Sequence, residues 1–376
     1  MIKILNVVGA RPNFMKVAPI HRQMHQRPEK FQPILIHTGQ HYDERMSKFF
    51  FNDLGLPEPD MFLGVGSGSH AEQTARIMIE FEKVCLKYKP DLVLVVGDVN
   101  STAACSLVAS KLWIPVAHVE AGLRSFDRQM PEEINRLVTD ALSDYLFITE
   151  KSGRENLLKE GISEDKIHFV GNCMIDSLVG LMEKAEQSEI MEKLKIKEKK
   201  FVLVTLHRPS NVDEPENFSK ILNALEEIQK SVKVIFPIHP RTQKNIKSFG
   251  LEKRVKSLKN LVLTEPLGYL DFVKLEKYCT FVLTDSGGLQ EESTYLGVPC
   301  LTVRENTERP ITVELGTNEV VGMNTQKIIE SARKILSGKW KKGKIPPLWD
   351  GRAAERIVEI LGDVGKRREV KMKYER

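Results

Sequence analysis

Leu92-Val93-Leu94-Val95-Val96-Gly97-Asp98 is the stretch on which the fold turns. Five apolar residues with no polar alternation read as a buried strand. A glycine and an acid end the run, Asn100-Ser101-Thr102 follows, and helical spacing then takes over around Ala103–Leu112. The same grammar recurs on both sides. Strand patterns at Ile2–Val8, Pro33–His37, Pro115–Val119, Tyr145–Thr149 and Ile167–Val170 alternate with helical patterns around Phe14–His25, Glu72–Lys87, Glu132–Leu142 and Gly153–Glu160. Strands alternating with helices of this length predict right-handed βαβ units in a parallel, doubly wound sheet.

After the charged stretch Glu183–Lys200 the alternation restarts. Phe201–Leu206, Lys233–Ile238, Leu261–Leu263, Phe281–Thr284 and Pro299–Val303 predict a second parallel sheet. The expectation is an α/β chain of two Rossmann-like domains facing across a cleft, residues 1–171 and 172–350, as in GT-B-like glycosyltransferases. A short amphipathic helix from Gly351 is expected to complete the first domain, residues 351–376 in all. The basic end Lys366–Arg376 reads as a solvated tail.

Composition narrows the function. A chain of 376 residues with a net charge of +5, 41% hydrophobic and 28% charged residues, belongs among ordinary globular proteins. Its basic residues are dispersed, so nucleic acid is not an expected partner, although a small anionic substrate suits the charge. Five widely spaced cysteines with no CxxC pair predict neither a metal site nor a disulfide framework. The N-terminus enters a strand pattern at once, with Lys3 inside it, and no apolar run approaches the ~18 residues of a bilayer span. A cytoplasmic protein without membrane partners is expected.

The chemistry-bearing residues collect after strands, at the sheet edge where open α/β folds bind ligands. Gly9-Ala10-Arg11-Pro12-Asn13-Phe14-Met15-Lys16 opens a helix whose N-terminus suits an anion, with Arg11 and Lys16 adding charge; the plain alternative is a βα loop with two surface cations. No GxGxxG is present, which disfavours a dinucleotide cofactor. Asp98 is either a helix N-cap or a carboxylate projecting from the sheet edge. Glu120, in His118-Val119-Glu120-Ala121-Gly122-Leu123-Arg124, ends an apolar strand, where a charge is costly without partners. An ion pair with Arg124 or Arg136 is the plain alternative. In Pro131-Glu132-Glu133-Ile134-Asn135-Arg136, the acids stand in a helix's first turn and Arg136 lies i+4 from Glu132, so a helix salt bridge competes with acid–base work. His207 ends another strand in Thr205-Leu206-His207-Arg208, and Ile238-His239-Pro240-Arg241 repeats that pattern. Asp285-Ser286-Gly287-Gly288-Leu289-Gln290-Glu291-Glu292 offers bare amides for a diphosphate and Glu292 for ribose hydroxyls; Arg309 is a further phosphate ligand candidate.

Taken in order, GARPxxxK at 9–16, GDxxST at 97–102, HVEAGLR at 118–124, PEEINR at 131–136, TLHR at 205–208, TDSGGLQEE at 284–292 and ERP at 308–310 resemble the non-hydrolysing UDP-N-acetylglucosamine 2-epimerases. The resemblance implies a homodimer that interconverts UDP-GlcNAc and UDP-ManNAc without cofactor or metal. By that resemblance Asp98, Glu120, Glu132 and His207 are catalytic. Arg11, Lys16, Ser286, Gly287, Gly288, Glu292 and Arg309 bind the UDP-sugar, Phe272 lies beside the base and Arg136 near the sugar. An elimination is the route open to such acids, because C2 has no adjacent carbonyl to make its proton acidic. Some segments depart from the family's pattern. Pro209-Ser210-Asn211 follows Arg208, Leu267 replaces a polar residue, and Gln40–Met46 differs from members that bind a second UDP-GlcNAc as activator. His41-Tyr42-Asp43 and Arg124-Ser125-Phe126 also resemble relatives that epimerise UDP-2,3-diacetamido-glucuronic acid. Rival expectations are that epimerase, a glycosyltransferase of the same fold, a hydrolysing epimerase, and an inactive sugar-nucleotide sensor.

Overall fold

The computed structural model describes residues 1–40 and 54–363. Buried apolar runs become strands here as their pattern requires, and all five residues of Leu92–Val96 are at most 1% exposed. The chain divides into two compact units, Met1–Gly180 with the chain from Pro347 onward, and Leu181–Pro346.

The first unit holds β1 (Ile2–Val8), β2 (Phe31–His37), β3 (Met61–Phe62), β4 (Leu92–Val96), β5 (Val116–Val119), β6 (Tyr145–Ile148) and β7 (Ile167–Phe169). Among the described residues these form one parallel sheet in the order β3-β2-β1-β4-β5-β6-β7. Helices Arg11–His25, His70–Tyr88, Asn100–Lys111, Pro131–Leu142 and Lys151–Lys159 connect the strands. Each start has a local cause. Ser69 and Glu72 close a capping box at His70, with Ser69 Oγ accepting from the Glu72 amide at 3.2 Å. Proline at the first turn begins the helices at Arg11 and Pro131, where an N–H would have no partner.

The second unit holds β8 (Phe201–Thr205), β9 (Lys233–Pro237), β10 (Leu261–Thr264), β11 (Val282–Thr284), β12 (Cys300–Thr302) and β13 (Asn318–Val320), parallel in the order β10-β9-β8-β11-β12-β13. The β1/β4 and β8/β11 pairs are where strand order reverses, each sheet's topological switch point, and crevices that accept ligands open there. The α/β fold of two parallel sheets is the GT-B-like class expected from sequence.

The division between units lies inside helix Cys173–Glu186 rather than at Gly171–Asn172, because the first half of that helix is held by the first unit. Ser177 donates to the Met15 carbonyl, and Asp176 accepts the amides of Ala353 and Ala354 at 3.1 and 2.7 Å, capping helix Ala353–Leu361. Burial pushes the Asp176 carboxyl up to about 6 against those two amides. All five cysteines are unpaired and buried. Among the described residues no helix is long and apolar enough to cross a membrane, and no cluster of His, Cys, Asp and Glu has metal-ligand geometry.

Candidate active site

In the first unit the loops after β1 and β4 are tied together at the switch point. Asn13 Oδ1 accepts the amides of Gly9 and Ala10 at 3.1 and 3.0 Å, and its Nδ2 donates to the Val96 carbonyl at 3.0 Å. Gly97 follows with φ +66°, a conformation that disfavours a side chain. A Cβ there would also meet Lys16 Nζ at 3.0 Å and Glu120 Oε2 at 3.6 Å. The bare glycine thus leaves space for a buried ion pair between Lys16, 6% exposed, and Glu120, 5% exposed.

Glu120 itself has φ +74°, rare for a residue with a side chain. Its amide and that of Ala121 both donate to the Phe147 carbonyl, at 3.0 and 3.1 Å, so the strand end is bent and the carboxylate re-aimed. Glu120 therefore pairs with Lys16, a partner other than the Arg124 or Arg136 of the plain alternative. Arg124 is held instead by Asp140 (2.7 Å) and Glu160 (2.6 Å), and is 3% exposed. His118 Nδ1 lies 2.6 Å from Asp140 and its Nε2 2.8 Å from the Gly97 carbonyl, so Nε2 carries a proton and donates. Burial pushes the Asp140 carboxyl up, but the charges and hydrogen bonds of His118 and Arg124 outweigh it and hold the group below its ordinary range.

Asp98 does not cap the helix that follows; the N-cap is Val99. Its carboxylate receives Arg136 Nη2 at 2.7 Å and Nε at 3.1 Å, while remaining partly open to solvent. Arg136 also pairs with Glu133, so the i+4 bridge to Glu132 is absent. Glu133 is structural: it accepts the Ser125 amide and hydroxyl at 2.9 Å each and the Phe126 amide at 3.0 Å, fixing the loop before the helix. Glu132 is half-buried and, among the described residues, its side chain makes no hydrogen bond or ion pair. The first unit thus pairs Glu120 with Lys16 and Asp98 with Arg136, with Glu132 in the first turn of the helix that carries Arg136. The Arg11 side chain and residues 41–46 lie outside the described residues, as does the basic tail 366–376.

In the second unit β8 and β11 bring His207 to Asp285. Asp285 is fully buried and accepts His207 Nδ1 at 2.9 Å, the amides of His207 (3.1 Å) and Arg208 (3.0 Å), and Asn211 Nδ2 at 2.9 Å. Burial raises its carboxyl, yet these donors together hold it below the usual carboxylate range. The His207 ring is 56% exposed and oriented by Nδ1, leaving Nε2 outward. Asn211, from the segment that departs from the family's pattern, is part of this clamp.

Helix Gly287–Leu296 starts beside it. Ser286 is the N-cap, and its hydroxyl makes no capping bond to the helix. A Cβ on Gly287 would stand 2.6 Å from Arg309 Nη1, which explains the glycine: it admits the guanidinium to the helix N-terminus. Arg309 is pinned by Glu291 (2.8 Å) and Glu308 (2.5 Å). Gly288 is half-buried one residue on. Glu292 is 3% exposed and accepts the Tyr269 hydroxyl at 2.5 Å. Phe272 and Leu267 are half-buried on the apolar cluster around Leu275 and Val298. His239 takes the plain course: its Nδ1 caps helix Pro240–Ser248 by accepting the Arg241 amide at 3.2 Å, and Arg241 pairs with Asp213. Asp285 as the His207 partner and Asp140 as the His118 partner were not singled out by sequence; Asp285 stands in the strand-end TDSGG motif, whereas Asp140, in the last turn of helix Pro131–Leu142, carries no local signal.

The family model for UDP-N-acetylglucosamine 2-epimerase matches residues 22–362. A Methanocaldococcus jannaschii protein named UDP-N-acetylglucosamine 2-epimerase is 47% identical over 367 residues, 96% of this chain and 99% of its own. A solved M. jannaschii UDP-GlcNAc 2-epimerase, in complex with UDP-GlcNAc and UDP, has a TM-score of 0.87 at 47% identity, covering 96% of this chain and 99% of that one. A Pseudomonas aeruginosa UDP-2,3-diacetamido-2,3-dideoxy-D-glucuronate 2-epimerase is 42% identical over 363 residues, 96% of this chain and 99% of its own.

Proposed function

Because the chain belongs to the UDP-N-acetylglucosamine 2-epimerase family, we propose that it interconverts UDP-GlcNAc and UDP-ManNAc by eliminating UDP and adding it back. The observation that carries this reading is the first unit's set of three carboxylates in different company: Glu120 on Lys16, Asp98 on Arg136, and Glu132 on no partner among the described residues. Proton transfer at a carbon that changes face needs acids and bases that differ in this way.

In the step itself, one carboxylate takes the C2 proton while the C1–O bond to the diphosphate breaks and its electron pair leaves with UDP. The product pair is 2-acetamidoglucal and UDP. Re-addition forms the C1–O bond again as C2 receives a proton from the opposite face. His207, oriented by Asp285, and Arg309 with the Ser286–Gly288 amides receive the charge that develops on the departing diphosphate. Glu292 accepts the ribose hydroxyls, and Phe272 lies against the base.

Proton NMR with UDP-GlcNAc in D2O tests this: UDP-ManNAc carrying deuterium at C2 is expected. Release of free ManNAc and UDP instead means the hydrolysing reaction, and product without deuterium refutes the C2 proton step. Asp98→Asn and Glu120→Gln are expected to abolish turnover while UDP still binds. The 42% identity to the diacetamido-glucuronate epimerase supports a second reading. Offering both sugar nucleotides and comparing kcat/KM decides between them.

A further inference from the structure

Glu276 is a buried carboxyl for which the reaction as read above has no use. It sits on helix Tyr269–Tyr278, is 0% exposed, and neither of its oxygens has a hydrogen-bond partner among the described residues. Its charge is felt by Glu292 on helix Gly287–Leu296, by Cys300 on β12 and by Cys279 at the end of its own helix. Burial pushes the Cys300 thiol up to about 12 and the Cys279 thiol higher still, so both are neutral. No basic side chain pairs with Glu276 among the described residues.

An isolated carboxylate in such a pocket is prohibitively costly, and the group takes a proton instead. Burial, then the charge of Glu292, both press the Glu276 carboxyl well above its ordinary range. A neutral acid brings an O–H donor that needs an acceptor. Glu292 acts on it electrostatically and is held on Oε1 by the hydroxyl of Tyr269, seven residues before Glu276 on the same helix.

We infer that Glu276 is a positioning residue of the nucleotide site: as a neutral carboxylic acid it donates to Glu292 and, with Tyr269, holds that carboxylate aimed at the ribose. This rests on the reading of Glu292 as the ribose ligand. It assigns helix Tyr269–Tyr278 a second task besides carrying Phe272.

The test is calorimetric binding of UDP and of 2′,3′-dideoxy-UDP to the full chain. Glu276→Gln keeps a neutral donor and is expected to bind UDP within about twofold of wild type. Glu276→Leu removes the donor and is expected to weaken UDP about tenfold, the scale of one lost hydrogen bond, while leaving dideoxy-UDP unchanged. Equal weakening of both ligands, or a Gln variant as weak as the Leu variant, overturns the assignment. Should the Leu variant not fold, infrared difference spectra of wild type against Glu276→Gln decide. The protonated-carboxyl band at neutral pH must disappear in the variant, and its absence from wild type refutes the neutral acid. Glu292→Ala separates the two layers: if it weakens UDP and dideoxy-UDP alike, the ribose reading fails whatever Glu276 does.

Discussion

Lys16→Met should be far more harmful to the parent protein than to a protein that already carries Glu120→Gln. The two side chains are 6% and 5% exposed and paired to each other. Removing one partner of a buried pair leaves the other charge unsolvated, at a cost of about 3–5 kcal/mol. Met and Gln together fill nearly the same volume with no charge to desolvate, and such replacements cost far less. The coupling in the cycle is therefore expected at about 2–4 kcal/mol, against the ~0.5 kcal/mol that separates additive sites from interacting ones. Denaturant unfolding of the four proteins, followed by a probe in the first unit, measures it. A coupling below about 0.5 kcal/mol would refute the claim that Gly97 makes room for a functional buried pair.

Asp285→Asn should lower kcat by about tenfold or more, the loss of one charge-assisted bond to His207; the double variant with His207→Ala should be no slower than His207→Ala alone, and independent effects would separate the two residues. Stability should also fall in acid. His21 and His37 are each lowered from 6.5 to about 4, in both cases chiefly by burial, with the neighbouring His25 contributing at His21. The unfolded chain takes up these protons near 6.5 and the folded one only near 4, so their contribution is complete above 6.5 and is lost as pH falls toward 4. Each is worth about 3 kcal/mol over that window. In urea unfolding at pH 7 and 4.5, His21→Gln should lose correspondingly less than wild type, and an equal loss would exclude His21 as a source.

Much of this architecture is written in runs such as Leu92–Val96, where five consecutive apolar residues admit few settings besides a strand buried on both faces. Met61–Phe62 and Asn318–Val320 escape such reading because they are short and mixed; pairing with β2 and β12, not their own pattern, makes them strands. The motifs likewise mark where chemistry collects, since loops after parallel strands converge at the switch points. They do not say which charge meets which. Spacing offers Arg136 to Glu132, yet the guanidinium turns to Glu133 and to Asp98 on another loop. Lys16, which motif matching assigns to the nucleotide, also meets Glu120, a pairing that no spacing foretells. Glu276 is invisible in Leu275-Glu276-Lys277-Tyr278, where an acid beside a lysine reads as solvated, because only the packing of a second helix removes its water.

Glu120 carries one further consequence, in its backbone. A φ of +74° brings Cβ against the following carbonyl, costing roughly 1–2 kcal/mol in any residue but glycine. Glycine here would relax the bend at the end of β5, yet a glycine cannot carry the carboxylate; strain is the condition for aiming an acid from that point. Glu120→Ala and Glu120→Gly isolate the effect, since both abandon Lys16 and both lack the carboxylate. In an ordinary extended or helical setting the glycine variant would be the less stable by about 0.5–1 kcal/mol. At this position the order should invert, with Glu120→Gly more stable than Glu120→Ala by about 1 kcal/mol and both inactive. If the alanine variant proves the more stable, the left-handed turn at Glu120 is not a strained device for presenting the acid.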